Sequence, residues 1–265
     1  MTTALPKAYE TTLRQSADWL TRNEPFPIDP CTICERLGVA INRSADVPGR
    51  RAHIVNINGR SSIFLGPRAC STSKELNDWE RFLVAHELGH FILYKEQNAK
   101  PLGESEYWKH ERLCDSFAQW LLIPAHKAHA AARNGVGSAI AQLDASCKLE
   151  RDARVPWPVA ASAISEVEQN AVFFRVADLD SSHLRVRFST LPNKKGLHRK
   201  VERTSLAGRS LLCVRPQLPI QKLDCTVIRE LLWSEAQSCA ALRTGDLEIR
   251  LAVIGSSPTA LHITT

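Results

Sequence analysis

The chain has 265 residues, of which 44% are hydrophobic and 23% are charged. This composition is typical of a globular protein with one large domain or two ordinary ones. It contains no run of about eighteen apolar residues, and its N-terminus lacks the apolar segment of a secretory signal. We therefore expect a cytoplasmic protein with no membrane partner. The formal charge of +6 permits contact with nucleic acid but does not require it.

The eight cysteines are expected to be reduced thiols, several of them buried, because the chain is too long for a disulfide-dense scaffold. Cys31 and Cys34 form a CxxC, but a zinc ribbon needs a second pair at similar spacing and none follows. Asp29-Pro30 comes directly before this CxxC, and proline suits the first position of a helix. The favoured interpretation of the CxxC is therefore the first turn of a helix.

The first 130 residues alternate helical and strand-like patterns. Apolar spacing predicts helices at residues 8–22 and 33–37, the second ending at Gly38. Strands are predicted at 39–41, 52–57 and 62–65, with Asn58-Gly59 as a hairpin turn between the last two. A capping box at 77–80 should start another helix, and a further helix from about 107 to 122 should stop before Pro124. These elements predict an α+β domain over residues 1–130.

The rest of the chain divides into two segments with different sequence patterns. Residues 131–170 are expected to form a helical linker or a degenerate helix-turn-helix segment, with helices at 141–149 and 159–167. Residues 171–265 alternate apolar and polar side chains, as at 183–188 and 247–251, and predict a β-rich domain with a sensory or regulatory role. Basic residues are concentrated at 171–200. A solvated basic face is the usual meaning of such a run, and nucleic acid is the less favoured partner.

The stretch RFLVAHELGH, residues 81–90, contains two histidines at helical spacing. Residues i and i+4 project from one helical face, so His86 and His90 could share one metal ion. Glu87 is turned about 100° from His86 on a helix of 3.6 residues per turn, which suits a base that reaches water but not a third ligand. Gly89 would let another backbone approach closely. The alternative is a helix with two packed histidines.

A second pair of ionisable residues favours the metal interpretation. Glu111 and Asp115 are again at i and i+4, and twenty residues allow the chain to turn back beside the first helix. Glu111 would complete a His₂Glu set with an open fourth position, as catalytic zinc requires. Asp115 could accept the other ring N–H of a ligand histidine and so fix its tautomer. The alternative is a solvated acidic stripe on a helix.

At this point the sequence resembles the ImmA/IrrE family of bacterial zinc metallopeptidases. The resemblance rests on RFLVAHELGH, on the E-x-x-x-D at 111–115 followed by FAQWLLIP, and on PIDPCTICERLGV near the N-terminus. It covers about residues 10–124 and implies a thermolysin-like zincin domain, a small sheet with helices. It also implies zinc on His86, His90 and Glu111 and a general base at Glu87. Members typically cleave a helix-turn-helix repressor during stress or mobile-element induction.

The sequence therefore predicts a zinc endopeptidase that cleaves a specific protein, an XRE-type helix-turn-helix repressor being the expected partner. Mn²⁺ is an alternative to Zn²⁺. The alternative function is a non-proteolytic, zinc-containing regulator that binds a partner protein or DNA. Cys114 stands where the family usually has alanine and is expected to be a buried filler. Spacing does not choose a donor for the oxyanion, for which the nearby candidates are Tyr94, Tyr107, His110, His126 and His129.

Overall fold

The computed structural model describes residues 7–48, 51–67, 75–97, 103–135, 137–178, 183–191, 200–202, 211, 219–223, 236–244 and 248–255. These residues form two compact units. Unit 1 comprises the described residues up to Ala125 together with Arg151–Pro156. Unit 2 comprises His126–Glu150 and the described residues from Trp157 onwards. The domain division at 130 and 170 that composition suggests stays a prediction.

Helices and strands mix in unit 1, which confirms the predicted α+β class. In chain order, its elements are α1 (Lys7–Thr21), α2 (Pro30–Leu37), β1 (Val39–Arg43), β2 (Ala52–Ile57), β3 (Arg60–Leu65), α3 (Asp78–Gln97) and α4 (Glu104–Leu122). Helix α1 buries Leu13, Ala17 and Leu20 and packs against α3 and α4. Helix α4 begins three residues earlier than predicted, directly after the extended residue Gly103.

Helix α2 is capped at both ends by the residues that the sequence indicated. The Asp29 carboxylate accepts a hydrogen bond from the Cys31 N–H at 3.1 Å, and Pro30 takes the first helical position. Gly38 ends the helix with φ +69°, in the left-handed region that glycine adopts without strain. Cys31 and Cys34 are free thiols on this helix, and burial raises the pKa of both. The CxxC is therefore part of a capped helix.

The sheet of unit 1 has three strands in the order β1-β3-β2. Strand β2 pairs antiparallel with β3 through a tight turn, in which Asn58 and Gly59 both have positive φ. Two positive φ values are typical of a type I′ hairpin turn, which confirms the predicted hairpin. Strand β1 runs parallel to β3 on the other side. Strand β2 is consequently an edge strand, and α3 packs against both β2 and β3.

The start of α3 is fixed by the predicted capping box. The Glu80 N–H donates to the Asn77 side chain at 2.9 Å, and the Asn77 N–H donates back to the Glu80 carboxylate at 3.0 Å. Arg43 of β1 also donates to Glu80, at 2.8 Å. The next residue, Arg81, is buried and donates to the backbone carbonyls of Ile28 and Arg154. Paired, buried charges therefore fix the helix that carries the two histidines.

The remaining elements are α5 (Ala125–Asn134), α6 (Ala139–Ala153), α7 (Trp157–Val167), β4 (Ala171–Asp178), β5 (His183–Ser189), β6 (Lys200–Glu202), β7 (Gln221–Leu223), β8 (Ala236–Thr244) and β9 (Glu248–Gly255). The strands form one antiparallel sheet in the order β6-β5-β4-β9-β8-β7. Alternate residues of β4, Val172, Phe174 and Val176, enter a buried apolar cluster. On the other face, Phe173 contacts Trp157 of α7.

Several predictions concern this second half of the chain. Strands occur at 183–189 and 248–255 as expected, although Leu247 lies outside the described residues. Helix α5 starts directly after Pro124 and was not predicted as a separate helix. Helices α6 and α7 cover the two predicted helical segments, and their helix-turn-helix interpretation stays a prediction. The basic residues at 194, 195 and 199, and three of the eight cysteines (70, 213 and 225), lie outside the described residues.

No helix in the described part of the chain is both long enough and apolar enough to cross a membrane.

Candidate metal site

The candidate site lies where α3 packs against α4. Gly89 faces Cys114 across this contact, and a Cβ atom at position 89 would stand 3.1 Å from the Cys114 Cα and 3.2 Å from its Sγ. The helices approach this closely because residue 89 has no side chain. Cys114 is fully buried, as expected for a filler. The close approach brings the middle of α3 within reach of side chains on α4.

Three side chains converge between the two helices. The Nε2 atoms of His86 and His90 are 3.2 Å apart. One carboxylate oxygen of Glu111 lies 3.4 Å from the first of these nitrogens, and the other oxygen lies 3.2 Å from the second. One ligand atom from each residue can be chosen so that all three lie within 4.8 Å of one another. His86, His90 and Glu111 could therefore hold one metal ion.

Asp115 fixes the orientation of one of these histidines. Its carboxylate lies 2.9 Å from the Nδ1 atom of His86. An ionised carboxylate can only accept a hydrogen bond, so this contact assigns the ring proton to Nδ1. A neutral His86 ring would then offer the lone pair of its Nε2 atom to a metal ion. Asp115 lies one helical turn beyond Glu111, which matches the predicted relation between them.

The electrostatics of the cluster favour a positive charge at its centre. Burial alone would lower the pKa of His86, but its hydrogen bonds to Asp115 and Glu111 prevail and raise it to about 9. The pKa of His90 is lowered to about 4, first by burial and then by the charge of His86. The hydrogen bond from His86 lowers the pKa of Glu111. The cluster therefore favours one positive charge, which a metal ion could supply in place of the proton on His86.

Glu87 lies beside the cluster without joining it. Its side chain is almost fully buried, and burial raises its pKa to about 7. The backbone N–H of Ile54, on the edge strand β2, donates a hydrogen bond to its carboxylate. A carboxylate whose pKa lies near neutrality can both accept and release a proton at physiological pH. The position of Glu87 thus suits proton transfer.

Two aromatic residues near the site were not assigned a role from the sequence. The Tyr94 ring stacks on the His90 ring, with centroids 5.8 Å apart. The Tyr107 hydroxyl donates a hydrogen bond to Glu111. Both lie one helical turn from the residue that they contact, so a search for aromatic residues at i ± 4 from the predicted ligands would have found them. Of the five candidates for an oxyanion donor, these two contact the cluster directly.

The other three candidates are placed differently. His110 is buried on α4, where its ring meets Tyr9 of α1 edge-on at 6.1 Å. Its Nδ1 atom has no hydrogen-bond partner among the described residues. His126 and His129 lie on α5, whose residues after Ala125 belong to unit 2. No direct contact of these three residues with the metal-site cluster is described.

A cleft adjoins the site on the side of the β2–β3 hairpin. Its volume is about 320 Å³, and its walls include Ile54 of β2 and Phe91, Tyr94 and Lys95 of α3. Ile54 and Tyr94 are also the residues that contact Glu87 and His90. The cleft therefore borders the candidate metal site through these two residues.

Comparison with known proteins gives the family of this site. Residues 34–156 match the family model Peptidase_M78, described as the IrrE N-terminal-like domain. This segment includes His86, His90 and Glu111, together with Asp115 and Glu87. The predicted resemblance to the ImmA/IrrE family is therefore confirmed over residues 34–156, which match a metallopeptidase family model.

A solved structure described as a Mycobacterium tuberculosis transcriptional regulator resembles most of this chain. The identity is 11%, the TM-score is 0.53, and the match covers 93% of this chain and 76% of that one. At this identity the likeness concerns the fold alone. No curated protein matches the chain at a significant level.

Proposed function

We propose that this protein is a zinc-dependent endopeptidase that cleaves a specific protein. The observation that supports it best is the convergence of two imidazole nitrogens and one carboxylate, with a buried carboxylic acid beside them. A set of two histidines and one glutamate leaves the fourth position of a tetrahedral zinc open, as in catalytic sites and unlike structural ones. Zinc is the metal that this donor set suits best, with Mn²⁺ as the alternative.

In this proposal, zinc and the side chains around it have separate roles in hydrolysis. A bound zinc ion lowers the pKa of water and polarises a carbonyl oxygen. Glu87 accepts the proton of the attacking water and then passes it to the leaving amine, because its pKa of about 7 allows both steps. Asp115 holds the His86 ring in the tautomer that leaves Nε2 free. Tyr107 holds Glu111 by a hydrogen bond to its carboxylate.

The edge strand β2 offers a place for the substrate backbone. In an antiparallel pair, the N–H and C=O of one residue point to the same side. The Ile54 N–H points away from β3 towards Glu87, so its carbonyl also faces the open edge. An extended polypeptide could pair with this edge and so pass directly beside the general base. Such pairing explains how a protein substrate would be aligned at the site.

The substrate that we propose is a helix-turn-helix transcriptional repressor of the XRE type. Two findings support a role in transcription: the match to the IrrE N-terminal-like family, and the likeness to a structure described as a transcriptional regulator. Cleavage of a repressor would switch on stress or mobile-element genes. The five described cysteines are all free, which is consistent with the reducing cytoplasm where such a repressor acts.

The proposal is tested by mixing metal-loaded protein with the repressor encoded beside its gene. Wild-type protein should give discrete fragments, whereas Glu87→Gln should bind the same amount of metal and cut about 10²–10⁴-fold more slowly. Glu104→Gln, at the exposed start of α4, is the matched control and should cut normally. Normal cutting by metal-loaded Glu87→Gln would exclude the proposed base.

The same experiment decides the alternative, a non-proteolytic regulator that contains zinc. Such a protein would bind the repressor or DNA and leave both intact, and Glu87→Gln would behave like the wild type. The buried position of Glu87 argues against this alternative, because a purely structural metal site needs no base.

A further inference from the structure

The cleft beside the site has apolar walls and an opening towards solvent. Leu37 of α2 and Ile54 of β2 line it together with Phe91 and Tyr94 of α3. Asn56 and Ser61 face each other across the β2–β3 pair and are hydrogen-bonded to one another at 3.1 Å. Their polar groups are thereby satisfied within the wall. The cleft thus combines four large apolar side chains with two polar side chains that are hydrogen-bonded to each other.

Two walls of the cleft are also neighbours of the reacting groups. The Tyr94 ring stacks on His90, and Ile54 contacts Glu87 through its backbone. A polypeptide that extends along β2 projects successive side chains to opposite sides. One of the side chains flanking the reacting bond would therefore point into the cleft. At about 320 Å³, the cleft is at the lower end of the range for ligand pockets and suits a single side chain with its adjoining backbone.

Lys95 gives the cleft a charge preference. It lies one turn from Phe91 on α3, with its Nζ atom 5.3 Å from the centre of the Phe91 ring. The described residues that line the cleft include this lysine and no acidic side chain. A lysine or arginine of the substrate would lose hydration between apolar walls and meet a like charge. An apolar side chain avoids both costs.

We propose that this cleft binds one apolar side chain of the substrate, of the size of leucine, methionine or phenylalanine, next to the bond that is cut. Lys95 excludes basic side chains from the same position. The inference rests on the proposed peptidase function and specifies its substrate class: a polypeptide segment with a large apolar residue at one fixed position from the cleaved bond.

The test uses a synthetic library of random decapeptides and two readouts. Metal-loaded wild-type protein cuts the library, and mass spectrometry gives the residues around each cut bond. Metal-loaded Glu87→Gln protein is immobilised, and the peptides that it retains are identified without any cleavage. We expect one position to show about tenfold enrichment of large apolar residues over glycine, somewhat less than full burial of such a side chain would give. Lysine and arginine should be depleted at the same position.

Two variants link the preference to the cleft. Phe91→Ala removes one wall and should reduce the apolar enrichment at least threefold. Lys95→Glu should restore basic residues about two- to fivefold, the effect of one exposed charge pair. Lys109→Glu makes the same change of charge on α4, away from the lining of this cleft, and should leave the profile unchanged. Metal content is measured for every variant, since Phe91 follows His90 directly.

The outcomes separate the two proposals. If the wild type cuts peptides but Phe91→Ala and Lys95→Glu leave the profile unchanged, the cleft does not select the side chain and the peptidase function stands. If the library is neither cut nor retained by metal-loaded protein, the inference about the cleft fails, and the repressor experiment alone decides the peptidase function. A change of profile in both variants, with the Lys109→Glu control unaffected, supports the inference.

Discussion

The two units differ in the kind of side chain that each one buries. Among its buried polar residues, unit 1 has five ionisable side chains on α3 (Glu80, Arg81, His86, Glu87 and His90) and one, His110, on α4. The described residues of unit 2 that are polar and buried are uncharged: Gln142, Ser146 and Ser189. Burying a charged group costs free energy unless a partner compensates for the lost hydration. The buried ionisable residues of unit 1 therefore need a structural or functional explanation. The difference indicates that the candidate catalytic residues lie in unit 1.

The buried charges of α3 themselves fall into two groups. Glu80 and Arg81 are each held by fixed partners, the capping box and two backbone carbonyls, and they stabilise the start of the helix. His86, Glu87 and His90 are one to two turns further on, where two imidazole nitrogens face each other and one carboxylate. Such an arrangement adds little stability without a cation. We therefore infer a structural role for the first group and a functional role for the second.

The largest expected effect comes from removing the carboxylate of the second group. Glu111→Ala leaves two protein donors and should lose most of the bound zinc and all proteolytic activity, while the fold is kept because Glu111 is partly exposed. Competitive zinc titration and circular dichroism measure the two properties. Glu104→Ala, on the same helix, should bind zinc normally. Wild-type affinity in Glu111→Ala would show that this carboxylate is not a ligand.

The next prediction concerns a substitution in unit 2, which should lower stability without affecting zinc binding. Phe174 is fully buried in the apolar cluster of unit 2, and Phe174→Ala should lower the free energy of unfolding by about 3–5 kcal/mol. Because the proposed ligands all belong to unit 1, zinc uptake by the folded protein should be unchanged. Thermal unfolding and zinc titration of the same sample provide the measurement. Loss of zinc from a folded Phe174→Ala protein would contradict this independence.

A smaller effect is expected at Asp115, which acts through His86 and not on the metal itself. Asp115→Ala keeps three ligands but frees the His86 ring, so zinc affinity or activity should fall about 10–100-fold. Added zinc should rescue it in part, unlike Glu111→Ala. Asp18→Ala, an exposed carboxylate on α1, serves as the control. A metal-free Asp115→Ala beside a normal Glu111→Ala would reverse the two assignments.

Sequence patterns predicted the local features because each depends on residues close together in the chain. The Asn58-Gly59 turn and the cap at Gly38 follow from backbone preferences of single residues. The meeting of His86 with Glu111 was also predictable, since spacing on two helices limits which faces can meet. What could not be predicted depends on long-range pairing. The parallel β1–β3 contact and the bond from Arg81 to the Arg154 carbonyl, 73 residues away, leave no local signal.

At the site itself, the cleft and the edge strand also depend on long-range packing and could not be predicted from the sequence. Ile54 and Tyr94 are forty residues apart, and they line one cleft only because β2 packs against α3. The sequence indicated the residues that we propose as metal ligands but not those that would hold the substrate. Ligand spacing is set within helices, whereas the cleft is set by packing between elements.

The smallest predicted effect tests whether the first group on α3 is structural alone. Asn77 accepts the Glu80 N–H and is exposed, so Asn77→Ala removes half of the capping box without leaving a cavity. Loss of such a cap costs about 0.5–2 kcal/mol of stability, typically about 1. Glu80 keeps its hydrogen bond from Arg43, so the start of the helix should fray without displacing His86, which lies more than two turns away. Denaturant unfolding should therefore report a loss of about 1 kcal/mol, with zinc affinity unchanged within about twofold.

Asn23→Ala, which replaces an exposed asparagine after α1, is the control and should change stability by less than about 0.5 kcal/mol. A tenfold loss of zinc affinity in Asn77→Ala would mean that the cap positions the ligands, and the separation of the two groups on α3 would be wrong.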